Sequence, residues 1–224
     1  MGGVFITGTD TGVGKTIVTG LLARYLLDKG NKVITQKWIQ TGCKDFAHSD
    51  VTIHQHLMGQ KSKAGNVLPY MFKFPASPHL AAEIEKRRIT PSKIKRYYKR
   101  LEEKFDFVLV EGVGGALVCF DRKNLVIDIA KELNLPVLVV AQNKLGAINH
   151  TLLTIEALKK RNFKILGIVF NNLKNENARI LKDNLKVVKK LSKVRVFGAL
   201  LWDKKLNKLY DGFLPIGKKI QEQL

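Results

Sequence analysis

The stretch GTDTGVGKT, residues 8–16, decides how the rest of the chain is read. It follows a short apolar run, VFITG (4–8), and leads into an amphipathic stretch at 15–29. A strand, a glycine-rich turn ending in Gly-Lys-Thr and a helix together make a phosphate-binding loop. The general template, G-x-x-x-x-G-K-[ST], puts its first glycine five residues before the second. Here that position is Thr9, and the glycine is Gly8, one residue early. Gly12, Val13 and Gly14 would turn backbone N–H groups onto phosphate oxygens, and the first turn through Ile17 adds the positive end of the helix. Lys15 would meet the outer phosphates, and the Thr16 hydroxyl would ligate Mg²⁺.

Outward from this loop, apolar β-branched runs alternate with helical stretches. The strand candidates are 4–8, 32–37, 105–112, 135–142, 164–171 and 194–201. Their near-continuous apolar character is that of parallel strands covered on both faces. Amphipathic stretches lie at 15–29, 91–104, 124–134, 149–161 and 176–191. In the last, Ile180, Leu181, Leu185, Val188 and Leu191 recur at helical spacing. The pattern predicts an α/β fold, a mostly parallel sheet sandwiched by helices, of the P-loop NTPase kind. Residues 42–90 break the rhythm with a short helix near 50–58, a polar loop at 59–66 and the segment FPASPHLAAEIE. They read as an elaboration on a single domain spanning 1–224.

A chain of 224 residues is long enough for a sizeable core, and its 45% hydrophobic content is ordinary. No apolar run approaches a membrane span, and the N-terminus lacks a signal-peptide pattern. Ile6 also breaks the myristoylation pattern. The two cysteines, Cys43 and Cys119, form no metal or disulfide pattern, which points to a reducing cytoplasm. The formal charge of +20 raises a nucleic-acid reading. The lysines, however, are spread along the chain. The densest group, SKIKRYYKR (92–100), reads as the solvent side of a helix with Ile94 and Leu101 inward. Charge of this kind speaks to solubility and to attraction of anions, not to a specific nucleic-acid site.

In an open α/β sheet the ligand sits beyond the carboxyl ends of the strands. Lys37 ends the second strand. Alone it is an ordinary solvated lysine, but beside a phosphate loop it can stabilise a transferring phosphoryl group. Asp50 precedes an apolar helical stretch, and it is open whether Ser49–Asp50 caps that helix or Asp50 reaches a metal. The third strand ends in Glu111-Gly112-Val113-Gly114, a carboxylate for Mg²⁺ followed by a turn that lets a ligand approach closely. Asn171 and Asn172 end the fifth strand and either read an adenine edge or make a turn. His54 and His56 are two apart, which does not place both on one helix face.

GTDTGVGKT, K37-W-I-Q-T-G42, SD (49–50), SPHLAA, VLVEGVGG, LPVLVVAQNKLGAINHTLLT and GIVFNN together resemble the dethiobiotin synthetases, penultimate enzymes of biotin synthesis. The resemblance covers nearly the whole chain. The family's own loop carries the same extra residue between its glycines. The resemblance implies an ATP- and Mg²⁺-dependent ligase acting on 7,8-diaminononanoate and CO₂. It places Lys15, Lys37 and Thr11 in catalysis, and Thr16, Asp50 and Glu111 on the metal. It places Thr41 on the carbamate-bearing chain. It implies a homodimer in which Leu145, Gly146 and Asn149 reach the partner's substrate. The chain departs from the family where Trp38 replaces a proline after Lys37, Gly12 replaces a glutamate, Leu201 replaces a proline near the base, and Asn172 replaces an aspartate.

Two other enzymes on the same architecture remain in view. An amide synthetase would ordinarily carry a glutaminase domain, for which this chain is short. A partition-type switch ATPase would carry a further lysine early in the loop, where this chain reads Thr9-Asp10-Thr11.

Overall fold

The computed structural model describes residues 2–60, 66–172 and 176–224, so most of the polar loop at 59–66 lies outside the described residues. Along the chain run β1 (Gly2–Gly8), α1 (Lys15–Asp28), β2 (Val33–Lys37), β3 (Ile39–Gln40), α2 (Asp50–Met58), β4 (Tyr70–Met71), α3 (Pro78–Ile84) and α4 (Pro91–Glu102). There follow β5 (Phe107–Gly115), α5 (Val126–Glu132), β6 (Val137–Asn143), α6 (Ala147–Lys160), β7 (Ile165–Asn172), α7 (Ala178–Ser192), β8 (Val196–Leu201) and α8 (Leu206–Gln221). Six strands form one parallel sheet in the order β2-β5-β1-β6-β7-β8, and β3 pairs with β4 beside it. The predicted α/β sandwich is the observed fold, and each predicted strand lies in this sheet.

Each face of the sheet carries its own apolar core. On one, Leu21, Leu22 and Leu26 of α1 meet Leu57 and Met58 of α2 and Phe213, Ile216 and Ile220 of α8. On the other lie Ile94, Tyr98 and Leu101 of α4, Ile155 and Leu158 of α6, and Val188 of α7. Coverage on both sides explains why the strands read as unbroken apolar runs. The basic stretch 92–100 lies on α4, with Ile94 and Leu101 buried as expected. Trp38 is also core: its ring lies 5.3 Å from that of Phe5, and its Nε1 donates to Gln36 Oε1 at 2.8 Å. No helix among the described residues is long and apolar enough to cross a membrane.

Helix α8 was not expected from the sequence. Gly212, Pro215 and Gly217 inside it are ordinary helix breakers. Its buried stripe of Leu209, Tyr210, Phe213, Ile216 and Ile220 nevertheless keeps helical spacing and seals the core over α1. Tertiary burial outweighs local propensity here.

Gly20 sets the approach of α1 to α2. A Cβ added there would stand 2.6 Å from Leu57 Cδ1 and 2.8 Å from Leu57 Cβ. Gly20→Ala gains about 1 kcal/mol of helix propensity but overpacks a crossing, which costs about 1–3 kcal/mol. The net expectation is a Tm lowered by a few degrees, about 2–4 °C per kcal/mol at this size. Calorimetry checks it; an unchanged or raised Tm would mean that α2 shifts freely.

Candidate active site

Gly8 closes β1, and the turn that follows bends back over it. Gly12 and Gly14 lie in the left-handed region, at φ +73° and +96°. A Cβ on Gly14 would stand 2.3 Å from Asn171 Nδ2. Helix α1 starts at Lys15 with no side-chain cap, and its first helical bond runs from Val18 N to Gly14 O at 3.1 Å. The amides of Lys15, Thr16 and Ile17 precede that bond, so they are the donors a helix start offers an anion. Thr11 N bonds the Asp10 carboxylate at 2.7 Å, and Lys15 Nζ folds back to Asp10 O at 2.9 Å. Burial, then the neighbouring Lys37 charge, lower the Lys15 ammonium to about 8. A buried cation resting on one carbonyl is poised for a stronger anionic partner.

Across the cleft, Lys37 Nζ sits 2.7 Å from Asp50 Oδ2, 2.8 Å from Glu111 Oε1 and 2.9 Å from Gly112 O. Thr16 Oγ1 joins the group by donating to Glu111 Oε1 at 3.1 Å. The sheet makes this meeting possible: Lys37 and Glu111 are register partners of β2 and β5. Burial alone would lower the Lys37 ammonium, but Glu111 and Asp50 outweigh it and hold it above its ordinary value. Burial pushes the Glu111 carboxyl up, and Lys37 and His54 overcome that and draw it down to about 2. Glu111 and Asp50 both contact Lys37, and Thr16 contacts Glu111, a set of hard oxygen donors that suits Mg²⁺ retaining some of its water. Among the described residues no group of three or more His, Cys, Asp or Glu side chains forms a metal site.

Ser49, not Asp50, caps α2: its side chain accepts from Thr52 N. Asp50 is thereby free to face Lys37, and its own amide bonds Gln40 Oε1 at 3.2 Å. The cleft encloses about 680 Å³ and is lined by Thr11, Gly12, Gly14, Lys15, Thr16 and Lys37. It continues over Thr41, Asp50, Glu111, Val113 and Gly114 to Ser77 and Pro78 of the 42–90 segment. Val13 is buried beneath the loop, and Ile17 packs on the α1 core. Asn171 Nδ2 donates to Val13 O at 3.3 Å, so it braces the loop from β7. Asn172 Oδ1 accepts from Asn143 Nδ2 at 2.8 Å. Leu145, Gly146 and Asn149, at the start of α6, are exposed and do not line this cleft.

Two members of the site, Gln40 and His54, lie outside the sequence expectations. His54 was set aside with His56, yet its Nε2 lies 2.7 Å from Glu111 Oε2, with both side chains buried. The usable signal was its spacing, one helical turn after Asp50.

Residues 2–209 match the AAA domain family. The ATP-dependent dethiobiotin synthetase BioD 2 of Haemophilus influenzae is 41% identical over 183 residues, 80% of this chain and 95% of that protein. This chain belongs to the dethiobiotin synthetase family. The dethiobiotin synthetase of Chlorobaculum tepidum is 42% identical, covering 86% of this chain and 82% of its own. That of Thermodesulfovibrio yellowstonii is 39% identical, covering 92% and 91%. Among solved structures, the MinC:MinD cell division complex of Aquifex aeolicus aligns with a TM-score of 0.63 at 15% identity over 99% of this chain and 96% of its own. The cell division ATPase MinD of Pyrococcus furiosus aligns at 0.59 and 20% identity over the whole of both chains. At such identities these neighbours share the synthetase's fold and carry no more. The switch-ATPase and amide-synthetase alternatives are therefore less supported than the family reading.

Proposed function

We propose that the chain makes dethiobiotin from 7,8-diaminononanoate, CO₂ and ATP, as one working domain with its 42–90 segment forming part of the cleft. The carrying observation is the buried Lys37 held between Asp50 and Glu111, facing the loop that presents Lys15. The chemistry needs cations between two anions. One amine of the substrate adds to CO₂ and, losing a proton, becomes a carbamate. A carbamate oxygen attacks the γ-phosphorus as the bond to ADP breaks, giving a carbamic–phosphoric anhydride. The second amine attacks the carbamoyl carbon, phosphate leaves, and the urea ring closes.

In this reading Lys15 and the amides of Gly12–Ile17 hold the phosphates, and Lys37 screens carbamate from triphosphate as charge moves between them. Thr11 and Thr41 position the carbamate, while Gly112 and Val113 shape the wall beside Glu111. Thr16, Asp50 and Glu111 would hold Mg²⁺, which supplies charge neutralisation on the phosphates. Asn171 and Asn172 border the adenine, using atoms beyond those already bonded. Leu201, 61% exposed and in register with Asn172, would present an apolar edge to the base. A homodimer would bring Leu145, 77% exposed, with Gly146 and Asn149, onto the partner's substrate carboxylate. Free Cys43 and Cys119 suit a cytoplasmic location.

Phosphate release from MgATP, measured with and without diaminononanoate and bicarbonate, tests this reading. It should need both, and the product mass should be dethiobiotin. Release indifferent to both would leave the fold and remove the function. The pH profile adds a second check. Phosphate binding requires protonated Lys15, whose value in the free protein is about 8. The kcat/KM for ATP should be flat below that pH and fall about tenfold per unit above it. In Lys15→Arg the break should leave the window, and a wild-type profile level to pH 10 would remove Lys15 from phosphate binding.

A further inference from the structure

We propose that His54 is a positioning residue for Glu111, and through it for the divalent cation and Lys37. The inference rests on the nucleotide- and metal-dependent reading above.

The geometry divides the Glu111 carboxylate between two tasks. Oε1 faces the cleft, bonding Lys37 Nζ at 2.8 Å and Thr16 Oγ1 at 3.1 Å. Oε2 faces α2 and bonds His54 Nε2 at 2.7 Å. A carboxylate only accepts, so Nε2 carries the proton in this bond. The terminal torsion of a glutamate is broad and roughly two-fold. Without a donor on Oε2, the group could rotate away from the direction the cleft requires, and a buried oxygen would lose its partner.

His54 and Asp50 lie one turn apart on α2, below the Ser49 cap. One helix therefore supplies the second carboxylate of the cation group and the donor that orients the first. The His54 side chain is fully buried, and its Nδ1 has no hydrogen-bond partner among the described residues. A side chain kept for packing alone would be apolar and would carry no such orphan atom. Tolerated breaches of that kind gather at functional sites.

The test compares His54→Leu, which keeps volume and removes the donor, with His54→Gln, which keeps an N–H. Binding of Mn²⁺ in the presence of a non-hydrolysable ATP analogue is followed by electron paramagnetic resonance, a readout independent of turnover. Loss of a residue that orients a metal ligand weakens metal binding by about 10–100-fold. That loss is expected for His54→Leu, with His54→Gln restored to within about threefold of wild type. In turnover, the half-saturating Mg²⁺ concentration should rise in His54→Leu while KM for diaminononanoate holds. If His54→Leu fails to fold, His54→Asn, one methylene too short to reach, replaces it in the same comparison.

Mn²⁺ affinity in the donor-less variant equal to wild type, or an equal loss in the glutamine variant, overturns the proposal. If the wild type forms no dethiobiotin while Mn²⁺ affinity still separates the variants, the synthetase reading fails and the positioning role stands. If the wild type forms product and the variants bind Mn²⁺ alike, the reverse holds.

Discussion

Lys37→Ala should lower kcat for dethiobiotin formation by about 10³–10⁵-fold, the range for removing a cation that steadies a transferring phosphoryl group. KM for ATP should change far less if, as proposed, the loop and Lys15 hold the phosphates. The same substitution strips Asp50 and Glu111 of their common partner. Glu111 is 1% exposed, and an uncompensated buried charge of this kind costs about 3–5 kcal/mol. The Tm of the ligand-free variant should therefore drop, and Mg²⁺ with ATP should recover part of it. Lys37→Arg should rescue little, since a planar fork does not fit a point-charge position among Asp50 Oδ2, Glu111 Oε1 and Gly112 O. Turnover within tenfold of wild type would sink the assignment.

Lys15→Ala should also cripple the enzyme, by about 10²–10³-fold or more, with the loss showing in both KM for ATP and kcat. Its effect on stability should have the opposite sign. Burial lowers Lys15 from 10.5 to about 8, so the fold disfavours its charged form. Between those values the unfolded chain binds the extra proton, and stability of the wild type rises with pH across that window. Lys15→Ala lacks this slope and should be as stable as wild type or more so at pH 7, with the two curves converging toward pH 10.5. Denaturant titrations at three pH values decide it. A destabilised variant would mean that Lys15 holds the loop together and is not waiting for phosphate. Two lysines in one cleft thus differ in expected role: Lys37 neutralises carboxylates already present, and Lys15 is proposed to meet an anion yet to arrive.

The sheet was legible because both of its faces are covered, which turns every strand into an apolar run. The loop was legible because its glycines and Lys15 are local in sequence. Long-range pairings were not. Asp50 was open between cap and ligand; the structure gives the cap to Ser49 and pairs Asp50 with Lys37. His54 could be placed one turn after Asp50, but its partner Glu111, 57 residues away, could not. Helix α8 was hidden by Gly212, Pro215 and Gly217, whose local propensity its burial against α1 overrides. For Asn171 the sequence could offer an adenine edge or a turn; the loop brace to Val13 needs the spatial proximity of β7 to the phosphate loop.

The register of β2 on β5 ties the cleft to the edge of the sheet. β2 is the end strand of the sheet, next to β5, and its last residue is Lys37 opposite Glu111. Neighbouring side chains along a strand point to opposite faces, so a slip of one residue would turn Lys37 away from Glu111 and aim Trp38 or Gln36 at the carboxylate. Such a misaligned edge would forfeit the buried ion pair between Lys37 and Glu111, and with it the cation proposed to act in catalysis. The same pairing thus sets the alignment of the edge strand and places Lys37 beside Glu111 in the cleft.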